Sequence, residues 1–172
     1  MKRKIAVIVG SRSDLAGGQC AEGLRVLQNA ETEGTVEVIG VFAYSLHRNT
    51  EATLALLKEL STRGVDVIIV GAGLANHLTG TVDAYLRNEI GDMHAVVVGV
   101  AFEDHQYAER TRAAVESILY VPGTQVVFDN YVGATGFTRA CRFTATGELP
   151  QIIGPAARRT ERFTLEEALT LA

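Results

Sequence analysis

The 172-residue sequence predicts one α/β domain, a three-layer sandwich around a parallel sheet of about five strands. Three observations predict it. Short, continuous β-branched and apolar runs recur along the chain, as strands covered on both faces require. Between them lie segments whose apolar residues recur at helical spacing. Three of the runs end in polar or glycine-rich loops, where open parallel sheets bind ligands, in the crevice outside the strand ends.

Ile5 to Val9 is the first run, and it stops at Gly10-Ser11-Arg12-Ser13-Asp14. Cys20, Gly23, Leu24 and Leu27 follow at i, i+3, i+4 and i+7, the buried stripe of a helix that ends before Gly34. Val36 to Val41 is the second strand, and it leads into the polar heptapeptide Tyr44 to Thr50. Thr53, Leu56, Leu57 and Leu60 give the next helix its apolar stripe, with Gly64 as its stop. Val65 to Val70 is the third strand and runs into the segment Gly71 to Gly80. Ala95 to Val100 is expected as the fourth strand, Tyr107 to Leu119 as a helix, and Gln125 to Phe128 as the fifth strand.

Beyond Asn130, the small residues of Gly133 to Cys141 are expected to form a short, closely packed helix, and Ala145 to Pro155 a connection. Thr164 with Glu167 forms a capping box before Leu165, Ala168, Leu169 and Leu171. The expected organisation is a single domain over residues 1–155 and a helical tail over 156–172.

Strands alternating with helices force parallel pairing through right-handed crossovers, which places every strand's carboxyl end on one edge. The expected order is 2-1-3-4-5, a flavodoxin-like sheet. Loops 10–14, 44–50 and 71–80 are then immediate neighbours.

Composition bounds the function. The chain is 47% hydrophobic and 21% charged with a net charge of -4 and a pI near 5.6, which argues against a nucleic-acid partner. Arg158, Arg159 and Arg162 are read as a solvated face. The apolar run after Met1-Lys2-Arg3-Lys4 is too short for a signal core, and a membrane span needs about 20 apolar residues. A cytoplasmic protein without a membrane partner is expected. Cys20 and Cys141 lack metal-type spacing and are expected as reduced thiols. No histidine pair stands at i, i+4 or in a His-Glu-x-x-His pattern, so no metal site is expected. No Gly-x-Ser-x-Gly elbow is present, so nucleophilic catalysis is not indicated.

The candidate residues lie in the three loops. Gly10, Ser11, Ser13 and Asp14 offer a turn, two hydroxyls and backbone N–H groups for a phosphate, with Asp14 able to accept from ribose hydroxyls. The alternative is that Ser13 or Asp14 only caps a helix. His47 can exchange a proton near neutral pH, and Arg48 can pair with an anion. His77 either caps a helix or lines the site. His94 and His105 flank the fourth strand and are expected in structural roles.

Together the three loops resemble the PurE family, the carboxyaminoimidazole ribonucleotide mutases and aminoimidazole ribonucleotide carboxylases of purine synthesis. Gly10 to Asp14 is similar to its Gly-Ser-x-Ser-Asp loop, and Ser45-Leu46-His47-Arg48 to its Ser-Ala-His-Arg. Gly71 to Gly80 is similar to its Gly-Ala-Gly-Gly-Ala-Ala-His-Leu-Pro-Gly, with Leu74 for glycine, Asn76 for alanine and Thr79 for proline. Residues 5 to 100 carry most of the resemblance. It implies a carboxyl transfer on an aminoimidazole ribonucleotide, with CO2 held between steps and no cofactor. His47 would be the catalytic proton shuttle; Ser11, Ser13 and Arg48 would hold the phosphate, and Asp14 the ribose. Ser45 and the glycine loop would hold the ring, and Ala72, Gly73, His77 and Leu78 would keep the CO2 pocket dry. It also implies a homo-oligomer, since family members form octamers. After the fourth strand the family has Gly-Val-Pro-Val-Gln-Ser, whereas here Gly99-Val100 is followed by Ala101 to His105. The acids Glu103 and Asp104 there leave two alternatives open, a different heteroaromatic nucleotide and a non-catalytic binding module.

Overall fold

The computed structural model describes residues 2–154 and 160–172. Arg158, Arg159 and the expected boundary at residue 155 lie outside the described residues. The sheet holds β1 (Arg3–Val9), β2 (Val36–Ala43), β3 (Val67–Ala72) and β4 (Val96–Ala101), all parallel, in the order β2-β1-β3-β4. The α-helices among the described residues are α1 (Arg12–Ala16), α2 (Ala21–Thr32), α3 (Thr50–Thr62), α4 (His77–Tyr85), which a π-helical turn (Leu86–Ile90) continues, α5 (Ala108–Leu119), α6 (Gly133–Thr146) and α7 (Leu165–Leu171).

The apolar runs are continuous because both faces of the sheet are covered. Ile5, Val7 and Val9 of β1 join Val67, Ile69, Val96, Val98 and Val100 in one layer with Leu27, Phe137 and Ala140 from α2 and α6. Ala6 and Ile8 point the other way, into a layer with Ile68, Val70, Leu57, Leu60, Leu78 and Val82 from β3, α3 and α4. Each such side chain contributes about 1.5–3 kcal/mol on burial, so the period-2 split of β1 alone pins its register.

Among the described residues, no fifth strand forms beside β4. Where Gln125 to Phe128 was expected to extend the sheet, two isolated parallel bridges stand, Val98 with Val127 and Ala101 with Val132. The ladder fails on both sides of Val127 for physical reasons. The Gln125 N–H is drawn to the carboxylate of Asp83 (2.9 Å), and Asn130 turns through a left-handed conformation at φ 46°. The chain then resumes contact at Tyr131, whose carbonyl accepts from Ala101 N–H (2.9 Å).

The small-residue helix expected over residues 133–141 is α6, and it runs on to Thr146. Ala145 and Thr146, expected in a connection, belong to it because Thr144 and Ala145 still face the core. The connection starts at Gly147. Close approach of α6 to α2 explains Gly23, since a methyl group there would strike the Phe137 ring. In α7 the capping box is made in both directions between Thr164 and Glu167, while Leu165, Leu169 and Leu171 are exposed.

Candidate active site

Strand order decides which loops meet. Val9 lies opposite Ala43 on one side and Gly71 on the other, so the loops after β1, β2 and β3 leave the sheet side by side. Backbone bonds fasten their starts: Gly10 N–H donates to Gly71 (3.0 Å) and Tyr44 N–H to Val9 (2.9 Å). Between them opens a cavity of about 510 Å3 lined by Gly10, Ser11, Ser13, Asp14, Ser45, His47, Arg48, Gly73, His77 and Leu78, with Leu46, Leu74 and Ala75. That volume suits a small-molecule ligand.

Ten of the eleven residues expected in the site line this cavity. The other, Ala72, does not: as the last residue of β3 it lies beneath Gly10, whose added Cβ would meet its methyl at 3.3 Å. Leu46, Leu74 and Ala75 carry no chemistry of their own and were not singled out; only their place within the loops marks them. His94 sits at the opposite end of the sheet, bonded to Asp66 (2.8 Å).

In the first loop the hydroxyls of Ser11 and Ser13 are 2.6 Å apart, and Ser11 donates to the Asp14 carboxylate (3.0 Å). Ser11 is the N-cap of α1 by backbone position, but neither it nor its neighbours cap through a side chain. Burial pushes the Asp14 carboxyl up from its usual range, against the lowering effects of the Ser11 bonds and the Arg48 guanidinium.

His47 and His77 meet across the cavity. Nε2 of His47 lies 3.1 Å from Nδ1 of His77, with the rings crossing edge to face. One nitrogen must donate and the other accept. His77 is the first residue of α4, whose N-cap is Asn76. The two histidines thus answer the alternative posed for His77: it lines the cavity, and capping falls to its neighbour.

Glu103 and Asp104 follow β4 without lining this cavity. Asp104 accepts from Gln106 and Tyr107 at the start of α5 and pairs with Arg110, and these bonds lower its carboxyl. Glu103 rests against Gly133 at the start of α6, and Gln19 clamps its backbone with two bonds, of 2.9 and 3.0 Å. A larger groove of about 680 Å3 runs between α4 and α5, sharing His77. Its charged wall is Glu89 and Glu116, which makes it the wrong place for an anionic ligand.

A family model described as AIR carboxylase matches residues 4–136. The chain belongs to the AIR carboxylase family. Among its relatives, an N5-carboxyaminoimidazole ribonucleotide mutase of Saccharolobus solfataricus is 37% identical over 79 residues, 46% of this chain and 46% of the relative. Another of that description, from Pyrococcus abyssi, is 37% identical over 81 residues, 47% of this chain and 42% of the relative. The chain therefore spans about half the length of the curated relatives it matches. Treponema denticola PurE shares the fold at a TM-score of 0.55 and 18% identity, over 84% of this chain and 87% of that one. The type II dehydroquinase from Butyrivibrio crossotus shares it equally, at a TM-score of 0.55 and 16% identity, over 84% and 99%. Since those two differ in name and share a fold, activity has to be argued from the family's loops and not from the architecture. Among the described residues, no helix is long and apolar enough to cross a membrane, and no group of three or more His, Cys, Asp or Glu side chains is placed to hold a metal ion.

Proposed function

We propose that the chain moves a carboxyl group on an aminoimidazole ribonucleotide, converting the N5-carboxy form to the ring-carbon form. The observation that carries this reading is the His47–His77 contact (3.1 Å) at one wall of a cavity that also presents Ser11, Ser13 and Arg48. The hydroxyls and the guanidinium suit a phosphate monoester, and Asp14 suits a pair of ribose hydroxyls.

The reaction needs only proton movements. Protonation of the carbamate nitrogen lets the N–C bond break, and its electron pair stays on nitrogen as CO2 departs. The electron-rich ring carbon then attacks CO2, forming the new C–C bond, and a base takes the hydrogen left on that carbon. His47 donates the first proton and recovers the second, so the imidazole ends as it began. His77 holds the His47 ring in place through their contact. Leu46, Leu74, Ala75 and Leu78 give the cavity an apolar lining that keeps CO2 close while it is free. No oxidant, nucleotide triphosphate or metal enters the balance.

Glu103 and Asp104, which raised the alternatives, do not line the cavity, and this favours the carboxyl-transfer reading over them. Assembly belongs to the same proposal: the exposed Leu165, Leu169 and Leu171 of α7 support a homo-oligomer, which sedimentation would measure. The deciding experiment is an ultraviolet assay with N5-carboxyaminoimidazole ribonucleotide, without ATP or metal, beside His47→Asn. Turnover that vanishes in the variant supports the reading. Absence of turnover in the folded wild-type protein overturns it.

A further inference from the structure

Asn76 and Thr79 are fully buried although both carry polar side chains, and they stand on either side of His77 in the chain. The Asn76 Nδ2 donates to the carbonyl of Val100 (3.1 Å), near the end of β4. Its Oδ1 accepts from the Thr79 N–H (3.2 Å) and from the Thr79 hydroxyl (2.9 Å). That hydroxyl also lies 3.3 Å from the carbonyl of Val70 in β3. The first turn of α4 is thus bonded sideways to two strands of the sheet.

The backbone at this point is sharply turned. Asn76 has φ −76° and ψ 67°, and His77 N–H donates to Ala75 (2.8 Å), which makes Asn76 the centre of an inverse γ-turn. Two residues earlier Leu74 is left-handed at φ 56°. A chain entering a helix through such bends is held in one direction only if something other than its own backbone fixes it. The Asn76 side chain does so from within, and His77 is the next residue.

We infer that Asn76 and Thr79 act as one coupled unit that positions His77 against His47, and so sets the proton arrangement of the histidine pair. This rests on the proposed carboxyl transfer for its consequence in turnover, but its geometry is independent of any substrate. Neither residue lines the cavity; both are positioning residues. Coupling follows from their chemistry. With Asn76 reduced to alanine, the buried Thr79 N–H and hydroxyl lose their shared acceptor. A proline at 79 has neither group, and the first turn of a helix tolerates it. Asn76→Ala is therefore more damaging beside threonine than beside proline, where only the bond to Val100 is lost.

The test reads the imidazole nitrogens by 15N NMR in the ligand-free protein, with His47 and His77 assigned from their Asn variants. In Asn76→Ala the expected result is changed His47 and His77 shifts. For turnover, kcat is expected to fall by about tenfold to a hundredfold with KM moved far less, as small misplacements of reacting groups do, and its pH profile to shift. Adding Thr79→Pro returns the shifts and the pH profile part of the way to those of the wild type. Unchanged imidazole shifts in a folded Asn76→Ala variant overturn the inference. So does a double variant no closer to wild type than the single, and if Asn76→Ala fails to fold the double variant decides alone. A wild-type protein that is inactive but shows the imidazole response loses the proposed reaction and keeps the positioning unit. An active one without that response does the reverse.

Discussion

His47 Nε2 stands 3.1 Å from His77 Nδ1, although the residues come from different loops, after β2 and at the start of α4. In this contact one ring nitrogen donates and the other accepts. The contact gives His47 Nε2 a partner within the site, which the proposed proton transfer uses.

Replacing His47 by asparagine keeps a side chain able to bond His77 but removes the proton carrier. Turnover is expected to fall by about 10²–10⁴-fold, the usual worth of general acid–base catalysis. Ligand-induced thermal stabilisation measured by calorimetry should persist.

Arg48 is assigned to the phosphate. Arg48→Ala should raise KM by roughly tenfold to a hundredfold, since a hydrogen bond to a charged group contributes about 1.5–3 kcal/mol. Arg48→Lys should recover only part of it, because an ammonium cannot pair in two-pronged fashion. Initial rates across substrate concentrations separate KM from kcat here.

Burial raises the Asp14 carboxyl above the usual value of 3.8, so the folded state holds its proton more tightly than the unfolded chain does. Stability linked to this group is full below 3.8 and is lost as pH climbs through the raised value. Asp14→Asn, neutral at every pH, should therefore melt higher than wild type at pH 7. The advantage should vanish near pH 3, and ribonucleotide binding should weaken. Paired thermal melts across pH check the sign.

Leu74 adopts a left-handed backbone and is 57% exposed. The conformation costs a non-glycine residue roughly 1–2 kcal/mol, while glycine's extra freedom in the unfolded chain costs about 0.5–1 kcal/mol. Leu74→Gly should leave the melting temperature unchanged or slightly raised, and should weaken substrate retention by opening the apolar wall.

Far from the cavity, Arg87 is buried with Asp83 (3.2 Å) and donates to the carbonyls of Asp92 and Ala95. Asp83 in turn accepts from Gln125. Arg87→Met strands a buried carboxylate and should cost about 3–5 kcal/mol in urea unfolding.

Much of the chain could be read without coordinates. Continuous apolar runs such as Ile5 to Val9 and Val65 to Val70 announce strands covered on both faces, and Thr164 with Glu167 announces its own cap. Local chemistry suffices for these because each depends on residues within a few positions. The loops bearing Ser11, Asp14, His47, Arg48 and His77 were legible for a related reason: a parallel sheet leaves their strands' ends on one edge whatever the details. Tertiary structure alone decided the rest. Gln125 to Phe128 has strand-like residues, yet Asp83, distant in sequence, takes the Gln125 N–H that a ladder would use. Ala72 has the right place in its loop, yet the packing of Gly10 on it shuts it out of the cavity. The turning away of Glu103 and Asp104, the bond between His47 and His77, and the hold of Asn76 on Val100 all join residues far apart in sequence. Such contacts depend on how the strands stack and where their ends fall, and no pattern within one stretch of sequence encodes that.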